Sequence, residues 1–187
     1  MRKTGLALML CGCGLTLTAQ AQDYVIDSSH TFAYFEVAHR GLSTFRGRFD
    51  KTEGTASLDL EKKTGSVDIT IDAASVSTGV PRLDAHLRNP DFFDVEKYPT
   101  LTFKSSEFKF EGDKLVEVVG ELTMHGVTRP LTLKVLALNC NNNACGLDAV
   151  ASLKRSEFGM TYGLGGGVGD EVTIRIGAEA RVPRNNR

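Results

Sequence analysis

Four histidines, two closely spaced acids, a glycine run, four arginines and a cysteine pair are the groups in this chain that could do chemistry. His30 and His39 stand nine residues apart on one alternating stretch, which sets them on opposite faces near opposite ends of a strand. His86 falls in a helical stretch and His125 in a turn, and neither an H-E-x-x-H pattern nor a close histidine pair offers a metal its ligands. Asp91 and Asp94 have the spacing of an acid pair, but their place after Asn89-Pro90 is where a helix N-terminus favours negative charge. No G-x-S-x-G elbow exists. Residues 163–169, GLGGGVG, lack the Lys-Ser/Thr of a phosphate loop and lead into a strand pattern. These residues predict neither a catalytic set nor a metal site. His39 stands apart, because it is in register with Phe35 and Val37 and would face the same interior as a polar group near a ligand headgroup. Arg82, Arg88, Arg129 and Arg155 read either as surface ion-pair residues or as contacts for an anionic headgroup.

Cys140 and Cys145 are separated by four residues with no further Cys or His nearby, which is poor zinc grammar. In an oxidising compartment they would pair and clamp the turn between them. The N-terminus predicts such a compartment. Arg2 and Lys3 precede an apolar run, and Ala19-Gln20-Ala21 is an export-signal cleavage site, so residues 1–21 read as a signal peptide and 22–187 as the mature domain. The expected location is the periplasm. Leu10-Cys11-Gly12-Cys13 also loosely resembles a lipoprotein box, with Cys13 as the lipidated residue. The apolar run is shorter than the roughly 20 residues of a membrane span. Removing 21 residues from 187 leaves 166, enough for one domain with a substantial core. Without Arg2 and Lys3, 20 basic residues face 23 acidic ones, a net charge of −3 that argues against a nucleic-acid partner.

Most of the mature chain alternates apolar and polar residues with a period of two. Roughly eight to ten one-faced strands follow one another through short polar turns, a meander of antiparallel strands that closes as a barrel or stacks as a sandwich. The barrel is the expected form, because closure removes edges and one segment can plug an end. That segment is 81–94. Leu83 and Leu87 lie four apart on a helical face over residues 81–88, and a further turn carries Phe92 and Phe93. With His86, these residues form the expected plug and mouth. Residues 156–170 read as a long loop, either a gate at the mouth or a flexible connection.

Whether the interior is full or hollow turns on residue size. Gly54, Ala56, Ala73, Gly120, Ala137, Ala149, Ala151, Ala178 and Ala180 all fall on inward positions, and no Trp fills the space they leave. An eight-stranded barrel is just wide enough to be packed or to hold one small ligand, and the sequence leaves both open. A ligand would meet Phe35, Val37, His39, Phe49, Ala56, Phe103, Leu122, Leu133, Ala151 and Ile174.

Four blocks, DSSHTFAYFEVAHRGLSTFRGRF, RLDAHLRNPDFFDVEKYPTLTF, GELTMHGVTRPLTL and SLKRSEFGM, resemble the YceI-like family in order and across essentially the whole mature chain. The resemblance implies a lipocalin-like antiparallel barrel, hollow and mostly periplasmic, that encloses long apolar molecules such as prenyl diphosphates or prenylated quinones. It implies no catalytic residue set and no cofactor beyond a bound isoprenoid or quinone lipid. A carrier of this kind would touch membranes transiently to exchange cargo; a monomer and a homodimer are both open. Two other readings compete: a packed-barrel, stress-related interaction protein, and an enzyme acting on a lipid headgroup through His39 and an arginine. The cysteine turn and the glycine run lie outside the shared pattern.

Overall fold

The computed structural model describes residues 21–184; the expected leader, with Cys11 and Cys13, lies outside them. Eleven strand segments and one helix follow in order: β1 Gln22–Ile26, β2 Phe32–His39, β3 Ser43–Phe49, β4 Thr52–Asp59, β5 Thr64–Asp72, β6 Val76–Ser77, α1 Pro81–Arg88, β7 Thr100–Glu111, β8 Lys114–Met124, β9 Val127–Cys140, β10 Ala144–Lys154 and β11 Val168–Arg181. They amount to eight staves. β1 and β2 both pair with β11, β3 and β4 with β2 and β1, and β6 and β5 with β3 and β4, so each of these couples is one strand bent in the middle. Every pairing is antiparallel, each stave pairs with the next, and β11 returns to β1 through Val25↔Arg181 and Ile26↔Ala180. The result is a closed up-and-down barrel. Alternating apolar residues produce it because each stave has one face to bury and closure leaves no long free edge.

The turns sort to two ends. Residues 40–42, 78–99, 125–126 and 155–167 lie at the end that carries α1, the plug end. Residues 60–63, 112–113 and 141–143 lie at the far end, with both described termini.

α1 begins at Pro81, where a missing N–H costs nothing. It is tied to the barrel by Asp84, whose carboxylate accepts from the Thr78 amide at 2.7 Å and hydroxyl at 2.6 Å. Arg88 donates to the Ala74 and Val76 carbonyls, both at 2.8 Å. Asn89 ends the helix and also starts the next turn, its carbonyl accepting from Phe92 and Asp94. The expected N-terminal role for Asp91 is not what the structure shows: no helix follows Pro90, and Asp91 instead meets His86 at 3.0 Å.

The simple period of two fails at three bulges. They lie between Ser105 and Glu107 in β7, in β8 where it pairs with Lys109 and Phe110, and in β9 where it pairs with Asp148 and Ala149 of β10. Each shifts the side-chain phase. Phe108, Leu115 and Leu138 therefore face the interior, where unbroken alternation would have placed Val116 and Ala137.

Candidate functional site

A cavity of about 250 Å³ runs inside the barrel from the plug to the far end, and its walls are almost wholly apolar. Phe35, Val37, Phe49, Ala56, Phe103, Leu122, Leu133 and Ile174 line it. Ala151 is buried in the same core without reaching the cavity wall. His39 lies outside the wall, edge-on to Phe45 with ring centres 4.7 Å apart. The strand pairing keeps His39 in the inward phase of Phe35 and Val37, opposite Val168, but at the plug-end tip of β2, beyond the cavity wall.

The plug contributes Leu87, Phe92 and Phe93 to the wall, while Leu83 packs against the core. Phe93 meets Phe49 at 5.2 Å and Phe35 at 6.4 Å, and those two rings lie 6.0 Å apart. This aromatic trio seals the plug onto the barrel. His86 lies on the outer side of α1, edge-on to Phe92 at 5.0 Å and Tyr162 at 5.1 Å, and so latches the helix to the loop after β10.

Small inward residues do two different jobs. A Cβ on Gly47 would lie 2.3 Å from the Phe35 ring, and one on Gly120 would lie 2.6 Å from the Phe103 ring, so these glycines seat aromatic rings. Ala56 and Ala178 instead border the open volume. At the far end Tyr24, Leu58 and Ala180 form a second apolar cluster with Phe108, Phe110 and Leu138. The bulges supply those last three, and the unbroken polar run Ser105-Ser106-Glu107 was the sequence signal for the first of them.

The polar groups near the cavity are mostly committed. Arg155 is 4% exposed and donates to Gly169 O at 2.7 Å, Met160 O at 2.9 Å and Val168 O at 3.2 Å. Burial pushes its pKa down and nearby Asp170 opposes that shift; a guanidinium stays charged regardless. Asp170 accepts from the Ser156 amide and hydroxyl at 2.9 and 2.8 Å, and these bonds hold its pKa below the usual carboxylate value. Arg155 is therefore neither a surface residue nor a free headgroup contact. It knits residues 155–170 into a built structure, to which His125 adds a bond from Nδ1 to the Phe158 carbonyl at 3.0 Å. The glycine run makes successive tight turns, with positive φ at Gly163, Gly165 and Gly167. Arg88 likewise serves two carbonyls. Arg82 and Arg129 are exposed and make no ion pair among the described residues.

Asp27, His30 and Glu179 lie close enough to share an ion. Their charge is met instead by Arg181, 2.6 Å from Asp27 and 3.5 Å from Glu179. Cys140 and Cys145 face each other across β9 and β10, Cα atoms 4.1 Å apart and sulfurs in bonding contact.

The YceI-like domain profile matches residues 24–180, nearly the whole barrel. The chain belongs to the YceI-like family. A UPF0312 protein of Pseudomonas paraeruginosa is 37% identical over 175 residues, covering 88% of this chain and 91% of that protein. One from Vibrio parahaemolyticus is 38% identical over 146 residues, 76% of each. Among solved structures, BcnA of Burkholderia cenocepacia superposes with a TM-score of 0.75 at 28% identity, over 82% of this chain and 98% of that one. A polyisoprenoid binding domain from Saccharophagus degradans gives 0.68 at 18% identity, over 86% and 98%, which is a likeness of fold. The YceI-like barrel is thus a lipocalin-like fold with its interior open.

Proposed function

We propose that this protein is a periplasmic carrier that holds the apolar chain of an isoprenoid lipid, free or as part of a quinone, inside the barrel. The observation that carries this reading is the continuous apolar cavity within a closed wall. Membership in the YceI-like family supports it, as does the fold shared with a domain that binds polyisoprenoid. The leader pattern and the facing cysteines support an oxidising, exported location. The polar groups described beside the cavity, Arg155 and Thr31, are spent on backbone partners, which supports a binding role for the interior.

Burial of an apolar chain stabilises by roughly 25 cal/mol per Å², so about 600 Å² contributes on the order of 15 kcal/mol. This matches or exceeds an association cost of about 4–15 kcal/mol. The cavity is slightly below the roughly 300–1,000 Å³ of small-molecule pockets. A chain of many isoprene units therefore requires the Phe35, Phe49 and Phe93 rings to part.

Native mass spectrometry of the mature protein exported in a bacterium, followed by organic extraction, tests the proposal. A stoichiometric prenyl lipid or quinone is expected. A protein that is repeatedly empty and also refuses added prenyl lipids would overturn it. Ala56→Phe with Ala178→Phe should block loading in a barrel that remains folded by circular dichroism.

A further inference from the structure

Thr52 sits at the start of β4, in phase with the inward residues Ala56 and Leu58, and belongs to the cavity wall. It is 3% exposed. Two buried side-chain oxygens among the described residues lack a hydrogen-bond partner: Thr52 Oγ1 and Asp59 Oδ2. The second is compensated by the Lys62 ammonium at 3.0 Å. The Thr52 hydroxyl has no such relief. Buried polar groups in folded proteins are nearly always paired, and a threonine at this position could be a valine of the same shape without loss of packing. A hydroxyl kept unpaired on an apolar wall has its partner in something that enters the cavity.

The other polar groups on the wall narrow the class of that partner. Thr31 donates its hydroxyl to Glu179 O and accepts from Glu179 N, both at 3.1 Å. Arg155, the cation on the wall, spends its donors on three carbonyls. A diphosphate buried here would face no free cation, and an unpaired buried charge is far costlier than an unpaired hydroxyl. A neutral oxygen needs only one hydrogen bond, and the Thr52 hydroxyl can donate or accept it.

We infer that Thr52 is a specificity-determining residue of the cavity, anchoring a neutral oxygen of the ligand — an alcohol, ether or carbonyl — and that the barrel selects such isoprenoids over their diphosphates. This rests on the apolar-carrier reading above and adds the polarity and position of the ligand's oxygen.

Three fifteen-carbon probes separate the possibilities: farnesene, farnesol and farnesyl diphosphate, each titrated by displacement of N-phenyl-1-naphthylamine from the mature protein. Farnesol should bind wild-type protein more tightly than either of the others. Thr52→Val should weaken farnesol about five- to tenfold, the worth of one neutral hydrogen bond, and leave farnesene unchanged. Thr52→Ser should restore farnesol binding. The unliganded Thr52→Val protein should melt about 2–4 °C higher, because the orphaned hydroxyl is gone. Equal losses for farnesol and farnesene, or no loss for farnesol, would overturn the anchor. Diphosphate binding as tight as the alcohol would overturn the selectivity. Failure of wild-type protein to bind any of the three overturns the carrier reading itself, a result distinct from the others.

Discussion

At the scale of single residues, the charged groups of this protein act on structure. Arg155 offers three donors to three carbonyls in a setting no lysine can match, because a lysine ammonium cannot reproduce the planar fork. Arg155→Lys and Arg155→Met should each destabilise the barrel by about 3 kcal/mol, the cost of stranding buried carbonyls, read as a lower urea midpoint. Asp27 acts at the corner between β1 and β2. Its carboxylate accepts from the Ser29 hydroxyl at 2.6 Å and also meets Arg181 and His30, contacts that hold its pKa far below the usual carboxylate value, Ser29 foremost. A depressed folded pKa contributes stability that is present above the unfolded value of about 3.9 and lost as pH falls toward the folded one. Acid unfolding of Asp27→Asn should therefore be less steep below pH 4 than that of wild type; identical acid limbs would remove Asp27 from the account. Sequence reading found the arginines but not their roles. A guanidinium aimed at carbonyls and one aimed at a headgroup have the same residue type, and only the path of residues 155–170 tells them apart. His39 shows the same limit: its spacing from Val37 points inward, but its place at the plug-end tip of β2 leaves it beyond the wall.

At the scale of elements, α1 and the staves were legible because their periods differ. The 3.6-residue spacing of Leu83 and Leu87 marked residues 81–88, and those are the bounds of the helix. The bulges were less legible, since one extra residue reverses the phase without changing composition. They matter to the site, for they turn Phe108, Leu115 and Leu138 onto the cavity wall toward the far end. Phe93 joins plug to barrel through two aromatic contacts. Phe93→Ala should cost about 2 kcal/mol, less than a fully buried phenylalanine because its side chain is half-buried. The space it leaves is apolar and continuous with the cavity. Added farnesol should therefore raise the melting point of Phe93→Ala more than that of wild type, by mass action on a larger site. The cysteine turn is a separate element. Closing so short a loop contributes about 2 kcal/mol in the chain-entropy account, so replacing both Cys140 and Cys145 with Ser should lower stability by that amount and abolish any effect of reductant.

At the scale of the whole molecule, the two ends of the barrel differ in a way that bears on exchange. The far-end turns are polar: Glu61-Lys62-Lys63, Gly112-Asp113 and Asn141-Asn142-Asn143. Of eight exposed large hydrophobic residues among those described, Leu42, Phe45, Val80 and Tyr162 lie at the plug end, and Leu42 is 85% exposed at a turn tip beside Arg40. Arg40 makes no ion pair among the described residues, nor does Arg82 in the first turn of α1. An apolar tip with free arginines fits the boundary between anionic headgroups and acyl chains. If the barrel carries a lipid as proposed, cargo has reason to pass there, because a bilayer is as apolar as the cavity and the preference of a lipid for the barrel over the membrane is small. On the carrier reading proposed above, the protein is suited to exchange and not to permanent capture. Vesicles of zwitterionic lipid with about a third anionic lipid should retain the mature protein, less so at high salt. Leu42→Asp forfeits the transfer of one leucine, roughly 1.5–3 kcal/mol, and should weaken retention tenfold or more. Leu60→Asp, the same change at an exposed leucine of the far end, should leave retention intact. If both variants lose binding alike, the contact is not directional; if neither does, the plug end is not the membrane face. Self-association of wild type that Leu42→Asp abolishes, with no vesicle binding by either, would assign the tip to a dimer instead.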